Sequence, residues 1–352
     1  MAAVAATFAA GGAYAGDAAL AGTVTSVAGK GAQGYSSGGF SGDGGPALEA
    51  GISNPKALVA DAAGNVYFID YFNRCVRKID FSANPPTITS IAGGGSDAFA
   101  EGVPAKKIKL SIPEDIAVDK AGNFYIADTA AKVILKVKAG DGTISRLAGN
   151  YSRWQVKDGV PALDSSLKNP VGVAVDGAGN VFIADEQAHA VRKVDAASGM
   201  ITTVAGNGSI YGPFKDKVAA TTTSTPLPRA LAVDAAGNIY LIDIAGPRCR
   251  LRMVEAVTGV IRTLKVLAMD ITHITADPDG NIYMTGGNRI YRYSRADGSV
   301  SPVAGTGNAG FSGDGGPALS AEFSAPHGTA VSGDSLFIAD TVNNRIRRVM
   351  LK

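Results

Sequence analysis

The chain has 352 residues, of which 46% are hydrophobic and 18% charged, with 45 glycines and a formal net charge of +2. Low charge combined with abundant glycine favours an all-β protein with many tight turns over a helical bundle. A net charge so close to zero argues against nucleic acid or an anionic membrane as a partner.

Residues 1–22 form an Ala/Gly-rich leader that partly matches a signal peptide. A short apolar run at residues 2–10 precedes Ala13-Tyr14-Ala15, which has the small-x-small form of a cleavage site. No Lys or Arg precedes the run, so a disordered leader is the alternative. The run is too short to span a bilayer, and no later segment reaches the necessary length. We expect a secreted or periplasmic protein rather than a cytoplasmic one, with one folded domain at residues 23–352.

One sequence pattern then occurs six times. Its clearest copy, NPVGVAVDGAGNVFIADEQAHAVRKV, starts at Asn169. An apolar segment leads to an Asp-x-x-Gly-Asn turn, since Gly and Asn tolerate positive φ. A second apolar segment, a polar turn and a partly alternating segment follow, as expected for strands. The six copies start at Asn54, Ile112, Asn169, Leu227, Ile271 and Ala325.

A fourth short segment of the type ITTVAG follows each of the first five copies but not the sixth. TVTSVAG at residues 23–29 has the same pattern and precedes the first copy. We therefore predict a six-bladed β-propeller of four-stranded blades, closed by an N-terminal strand that completes the last blade. Closure of this kind leaves no open sheet edge at the first and last blades.

The repeated pattern resembles the NHL-repeat family, most fully at residues 170–194 and 326–349. The resemblance covers all six units. Propellers of this family serve as interaction domains, extracellular sensors and, less often, enzymes. The resemblance therefore implies the architecture more strongly than any chemistry.

The decapeptide GFSGDGGPAL occurs at residues 39–48 and again at 310–319. The residues just before each copy match the phosphate-binding pattern G-x-G-x-x-G. Each match follows the outermost strand of a blade, however, and Gly-Gly-Pro stands where a phosphate-binding helix should begin. We predict that both decapeptides are structural loops that cross from the rim of one blade to the channel strand of the next.

Such crossings are long at five of the six junctions, but the one at residues 268–270 is only a few residues long. The face that carries the crossings should therefore have five covering loops and one gap beside His273. This gap would be a natural entrance for a ligand or for a side chain of a partner. The alternative is a degenerate blade without a ligand.

The residue after the opening Pro of each repeat varies while its neighbours stay the same. Because this position begins the innermost strand, these residues should form a ring at the channel mouth. Charged and imidazole side chains in one ring could bind a polar ligand, and solvated entrance residues are the alternative. The candidate ligand-binding residues are Lys56, Glu114, Arg229, His273 and His327, with Val171 at the same position of the third copy.

Pro326-His327-Gly328 resembles the segment at which the peptidyl-hydroxyglycine amidating lyases, relatives within this propeller group, place zinc ligands. That resemblance implies histidines on several blades, because catalytic zinc takes three protein ligands and one open position. The chain has only three histidines, and His273 lies one position away from the corresponding place. We predict no metal or other cofactor; a channel zinc or calcium, if bound, would use His327 and His273.

An Asp follows the second strand of five copies, with a basic residue a few positions later. Occurrence in five blades favours a structural ion pair over catalysis. The expected pairs are Asp70 with Arg74, Asp128 with Lys132, Asp185 with Arg192, Asp243 with Arg248, and Asp340 with Arg345.

These patterns favour a monomeric, non-catalytic propeller that binds a protein, a peptide or a small polar ligand on the loop face and channel mouth. No Gly-x-Ser-x-Gly elbow or convincing nucleophile pair is present. One alternative is a metal-dependent lyase or lactone hydrolase with its site in the channel, which Glu114, Arg229 and His327 would support. The other is an RNA-binding propeller, which the near-neutral charge disfavours.

Overall fold

The computed structural model describes residues 22–34, 37–152 and 154–351, in which 27 strands form six antiparallel sheets. The sheets are the six blades of a propeller, so the predicted fold is confirmed. The predicted leader lies outside the described residues except for Gly22. Within the described residues, no helix is both long and apolar enough to cross a membrane.

Each blade has four main strands, which follow one another from the channel to the rim. Blade 1 has β2 (Pro55–Ala60), β3 (Val66–Asp70), β4 (Cys75–Asp80) and β5 (Thr87–Gly93). Blade 2 has β7 (Pro113–Val118), β8 (Phe124–Asp128), β9 (Val133–Val137) and β10 (Thr143–Ala148). Blade 3 has β12 (Pro170–Val175), β13 (Val181–Asp185), β14 (Ala190–Val194) and β15 (Met200–Ala205).

Blade 4 has β17 (Ala230–Val233), β18 (Ile239–Ala245), β19 (Arg248–Val254) and β20 (Val260–Leu267). Blade 5 has β21 (His273–Ala276), β22 (Ile282–Gly286), β23 (Arg289–Tyr293) and β24 (Val300–Ala304). Blade 6 has β25 (Thr329–Ser332), β26 (Ser335–Asp340), β27 (Arg345–Met350) and, at its rim, β1 (Val24–Ala28). Crossings add two-residue strands to three blades: β6 (Val103–Pro104), β11 (Val160–Pro161) and β16 (Val218–Ala219).

The ring closes as the repeat pattern predicts. β1 pairs with β27, with Val24 opposite Val349 and Ser26 opposite Arg347. The innermost strands of neighbouring blades contact one another around the whole ring. The last blade therefore combines segments from both ends of the described chain, and no blade keeps an unpaired rim position at the closure.

Burial explains why the second segment of each repeat is almost purely apolar. All five residues of β13 are buried, because this strand lies between two neighbouring blades. The rim strand β15 alternates instead, with Ile201 and Ala205 buried and Thr202 exposed. A strand covered on both faces needs continuous apolar character, whereas a strand with one solvated face alternates.

The Asp-x-x-Gly-Asn turns join the first and second strands, at the ends opposite the crossings. In blade 1, Asp61 Oδ1 accepts hydrogen bonds from the backbone N–H of Ala63 and Asn65, and Gly64 has φ +84°. Asp61 Oδ2 accepts from the Asn65 amide and from the Tyr67 hydroxyl at 2.9 Å. In blade 1 the carboxylate therefore makes its hydrogen bonds within its own turn, whereas Asp234 in blade 4 also accepts one from Arg295 of blade 5.

Five crossings contain a short 3-10 turn, and the crossing at residues 268–270 contains none. The turns lie at Ala47–Glu49, Ala105–Lys107, Ala162–Asp164, Ala220–Thr222 and Ala318–Ser320. In each turn the first alanine is buried. The expectation of five long crossings and one short one is thus met among the described residues.

Fully buried arginines hold four of the long crossings in place. Arg77 donates to Asp43 Oδ1 at 2.7 Å and to the Ser41 carbonyl, so it ties the first decapeptide to the third strand of blade 1. Arg347 does the same for the second decapeptide through Asp314. The matching pairs in blades 3 and 4 are Arg192–Asp158 and Arg252–Asp216. We call these four pairs the crossing anchors.

The basic partners predicted for the recurrent Asp residues need correction. Asp70 lies 3.5 Å from Arg77, and Asp340 lies 3.6 Å from Arg347, so the partners are strand arginines rather than Arg74 and Arg345. Asp243 pairs with Arg250 and Arg252 instead of Arg248, while Asp128 and Asp185 accept backbone N–H groups. The cause is geometric, because Arg74 and Lys132 lie in turns with positive φ, outside the buried layer between strands.

The channel mouth as a candidate ligand site

A polar cavity of about 310 Å³ lies at the channel mouth, on the face that carries the crossings. Residues from five blades line it, which shows that the innermost strands converge here. We call it the mouth cavity. Its lining residues are Glu114, Asp115, Thr129, Asn169, Val171, Glu186, Arg229, Thr272, His273 and His327.

The structure brings four of the five predicted residues into this cavity: Glu114, Arg229, His273 and His327. Each stands at or next to the start of an innermost strand, where the chain enters its blade. Lys56 is not in the lining, but its Nζ lies 2.6 Å from Glu114 Oε2. The Lys56 ammonium also lies 3.5 Å from the centre of the Tyr71 ring.

Glu186 is a charged lining residue that comparison of the opening positions misses. It follows Asp185 in the turn after the second strand of blade 3. Its Oε2 accepts a hydrogen bond from the Asn169 amide, and its Oε1 lies 3.9 Å from Arg229 Nε. The corresponding positions in blades 1 and 2 hold Tyr71 and Thr129. This position therefore also varies between repeats, and that variation is the signal that could have identified it.

Arg229 bridges the short crossing. Its Nη1 donates to Asp270 Oδ1 at 3.3 Å, and the Asp270 side chain is 69% exposed. Thr272 and His273 follow directly and line the cavity. The expected gap is therefore crossed by a solvated ion pair rather than by apolar side chains.

The floor of the mouth cavity is a contact between opposite blades. His273 Nε2 lies 3.6 Å from Asp115 Oδ1, and both residues are buried. Asp115 also accepts the backbone N–H groups of Ile116 and Val173, while His273 Nδ1 accepts from Thr329 N at 3.4 Å. An accepting Nδ1 places the imidazole proton on Nε2, facing the carboxylate. Below this contact the channel narrows to a space of about 130 Å³ that is lined mostly by Val, Leu, Ile and Ala residues.

His327 Nδ1 has no hydrogen-bond partner among the described residues, although it is buried. Burial lowers the pKa of His327 well below its usual value, and the positive charges of Lys56 and Arg229 lower it further. The side chain is therefore a neutral imidazole near pH 7. A buried polar atom without a partner costs free energy, so Nδ1 is a locally unfavourable feature of the mouth.

The two histidines named for a metal lie near each other, with ring centroids 6.3 Å apart. In the part of the chain that the structure describes, no three His, Cys, Asp or Glu side chains are arranged to hold a metal ion. A catalytic zinc site needs three protein ligands. The residues present therefore do not fit a zinc centre of that kind.

No protein-family model matches the chain. Among curated proteins, it is 27% identical to teneurin-1 of Gallus gallus over 361 residues, covering 87% of this chain. It is 24% identical over 336 residues, 93% of this chain, to Protein SUPPRESSOR OF QUENCHING 1, chloroplastic, of Arabidopsis thaliana. The chain spans 13% and 27% of the lengths of these two relatives.

Solved structures share the fold at low identity. An auxiliary nutrient binding protein of Bacteroides thetaiotaomicron matches with TM-score 0.63 at 14% identity, over 93% of this chain and 75% of that one. A gluconolactonase of Xanthomonas campestris matches with TM-score 0.57 at 12% identity, over 86% and 87%. A chain of the nidogen/laminin complex matches with TM-score 0.56 at 14% identity, over 84% and 89%. Together with the teneurin match, these likenesses support the resemblance to NHL-type six-bladed propellers.

Proposed function

We propose that this propeller is a non-catalytic binding protein that holds a small polar ligand in the mouth cavity. The observation that carries the proposal is the convergence of Glu114, Glu186, Arg229 and His327 from four different blades onto one cavity.

The dimensions of the cavity support this role. Ligand pockets in proteins usually enclose roughly 300–1,000 Å³, and the mouth cavity, at about 310 Å³, suits a small molecule. Its charged side chains are only partly paired within the protein, so they can still contact a ligand. The fold is shared with a protein whose name describes nutrient binding, a role that the same architecture could serve here.

A thermal-shift screen of sugars, amino acids and small carboxylic acids against the purified protein tests the proposal. A compound that raises the melting temperature should lose this effect in Arg229→Gln. The matched control is Arg262→Gln, which removes an exposed rim arginine that pairs with Glu255. The proposal fails if no compound binds, or if both variants bind as the unmodified protein does.

A second binding mode, to a protein partner on the loop face, is favoured by exposed aromatic side chains. Trp154 is 83% exposed and Tyr211 is 92% exposed, and they lie in the crossings into blades 3 and 4. Exposed aromatic residues are enriched at binding sites between proteins. The double variant Trp154→Ser/Tyr211→Ser should abolish capture of a protein partner without changing small-ligand binding. Equal capture by the double variant would contradict this mode.

We also propose that the mouth cavity works without a metal, and that the protein is exported, with residues 1–22 as the signal. Elemental analysis of protein purified without chelators tests the first point. One equivalent of zinc or calcium, lost together with ligand binding in His327→Gln, would contradict it. Mass spectrometry of protein secreted by its host tests the second, because cleavage should remove the leader.

A further inference from the structure

We infer that the ligand of the mouth cavity is a small zwitterion that carries an ammonium and a carboxylate group, such as a free α-amino acid or a short peptide. This inference rests on the proposed binding function and names its ligand class. It depends on how charge is distributed around the channel mouth.

The charged lining residues are segregated around the ring. Carboxylates come from blades 2 and 3, which contribute Glu114, Asp115 and Glu186. Cationic and imidazole groups come from blades 4, 5 and 6, which contribute Arg229, His273 and His327. The cavity therefore has an acidic arc and a basic arc, in which Arg229 supplies the positive charge and His327 is a neutral imidazole.

Both arcs retain capacity for a ligand. The Arg229 guanidinium makes one hydrogen bond among the described residues, to Asp270, and a guanidinium has five N–H donors. Among the described residues, the Glu186 carboxylate accepts one hydrogen bond, from Asn169. Its other oxygen forms a loose ion pair with Arg229 Nε at 3.9 Å, beyond hydrogen-bond range. A carboxylate can thus bind the guanidinium while an ammonium binds Glu186.

The spacing of these two groups suits an α-amino acid. Its amino nitrogen and carboxyl carbon are joined through a single Cα atom, so its two charges are close together. Glu186 and Arg229 present opposite charges at similarly short range. Glu114, which is already paired with Lys56, and the neutral His327 then remain for the side chain of the ligand or for a second residue.

Ligands with a single charge fit less well. A simple anion would meet Arg229 but would also face the carboxylates of the acidic arc, and a simple amine would face the guanidinium. Like charges at close range in a partly buried site are unfavourable. A neutral polyol would leave the ionic capacity of Arg229 unused.

The test measures affinities by isothermal titration calorimetry. The twenty L-amino acids are titrated first, followed by the N-acetyl and amide derivatives of the tightest binder and by a dipeptide that contains it. D-glucose and sodium acetate are the comparison compounds. We expect the free amino acid or the dipeptide to bind about tenfold or more tightly than either blocked derivative, since each derivative loses one charge-assisted contact. The affinities of the free amino acid and of the dipeptide are then compared, and the tighter binding of the two shows whether the ligand is an amino acid or a short peptide.

Two variants test which residue binds each charged group of the ligand. Arg229→Gln should weaken binding of the free amino acid and of its N-acetyl form while leaving the amide form unchanged. Glu186→Gln should show the opposite selectivity. Glu255→Gln and Arg262→Gln, an exposed pair at the rim, are the matched controls and should leave all three affinities unchanged. Circular dichroism and the melting temperature establish that every variant is folded.

The ways in which this test can fail are distinguishable. Binding of glucose or acetate that Arg229→Gln abolishes, together with weaker binding of amino acids, overturns the zwitterion and preserves the binding function. Equal affinity for the free and blocked amino acids also overturns it. If no compound in this panel or in the broader screen binds, both the inference and the proposed function fail.

Discussion

The crossing anchors and the mouth cavity use the same types of residue in opposite ways. At the anchors, a fully buried arginine meets an aspartate of the crossing, and the arrangement recurs in blades 1, 3, 4 and 6. At the mouth, each of the five blades that line the cavity contributes different side chains, and the contacts do not repeat. An interaction that many junctions need is repeated, whereas a ligand would be bound once, so the variation between repeats agrees with the ligand site that we propose at the mouth.

Two blades lack an anchor, and in blade 5 the crossing differs as well. Leu135 occupies the arginine position in blade 2, and Tyr291 occupies it in blade 5. The crossing into blade 5 is the short one and has no 3-10 turn. The aspartate of this crossing, Asp270, pairs with Arg229 of blade 4 instead. Blade 5 therefore lacks both the anchor arginine and the long crossing that such an arginine holds in blades 1, 3, 4 and 6.

The largest expected effect comes from removing an anchor arginine. Arg77→Leu leaves Asp70 buried without its cation and frees the first decapeptide, so the free energy of unfolding should fall by about 3 kcal/mol or more. Denaturant unfolding measures the change, with Arg262→Leu at the rim as the matched control. A loss below about 1 kcal/mol, typical of surface pairs, would show that the anchors are not structural.

Neutralising the loop partner should cost less. Burial opposes ionisation of Asp43, but hydrogen bonds from Ser90 and the charge of Arg77 lower its pKa. Asp43→Asn keeps the size of the side chain and removes the charge, so we expect a loss of about 1–2 kcal/mol by the same measurement. Asp314→Asn should behave alike, because it lies in the second copy of the decapeptide. A clearly different loss at the two sites would contradict their equivalence.

Deleting the turn hydroxyl of blade 1 should have a smaller effect. Tyr67→Phe removes one hydrogen bond to Asp61, for an expected loss of about 1 kcal/mol. Blade 3 already has Phe182 at this position and keeps the turn. Tyr125→Phe in blade 2 is the matched variant, because Tyr125 makes the same bond to Asp119. A loss of several kcal/mol would mean that the hydroxyl does more than complete the turn.

The stability of the protein should depend on pH through His327 at the channel mouth. The folded pKa of His327 lies below its unfolded value near 6.5, so the unfolded chain binds more protons. The stabilisation is complete above pH 6.5 and is lost as the pH falls below it. The charged or titratable groups around His327 are His273, Lys56, Arg229, Glu114 and Glu186.

Unfolding measured at pH 7.5 and at pH 5.5 tests this sign. His327→Gln should lose less stability over this interval than the unmodified protein. The comparison between variants is needed because burial raises the pKa of Asp70 and Asp340 to about 6, which favours the folded state as the pH falls. An identical pH dependence in the variant would contradict the depressed pKa.

Arg229→Gln should have the smallest effect on stability, although Arg229 is the residue at the channel mouth on which the proposed ligand depends most. Arg229→Gln removes a partly solvated pair with Asp270, so the free energy of unfolding should change by less than about 1 kcal/mol. Binding should nevertheless be lost. A large loss of stability would place Arg229 with the anchors and weaken the contrast between the two regions.

Comparison of the repeats predicts part of the mouth cavity. Glu114, Arg229, His273 and His327 stand out because their position varies while its neighbours do not, and the propeller places all such positions at the channel. Glu186 and Asp115 escape that comparison, since one lies in a turn of another strand and the other lies one residue beyond the compared position. Their roles depend on contacts between blades, for example Asp115 with His273 across the channel.

Local patterns in the amino-acid sequence are enough to define the number of blades, the order of their strands, the chemistry of the turns and the closure by β1. These patterns repeat along the chain, and each repeat can bury its apolar faces only against its neighbours. The pairing of Asp70 with Arg77 rather than Arg74, and the supply of charges from several blades to one cavity, emerge only in the folded ring. Such pairings depend on strand register and on the packing of six blades around an axis, which bring together residues far apart in the sequence.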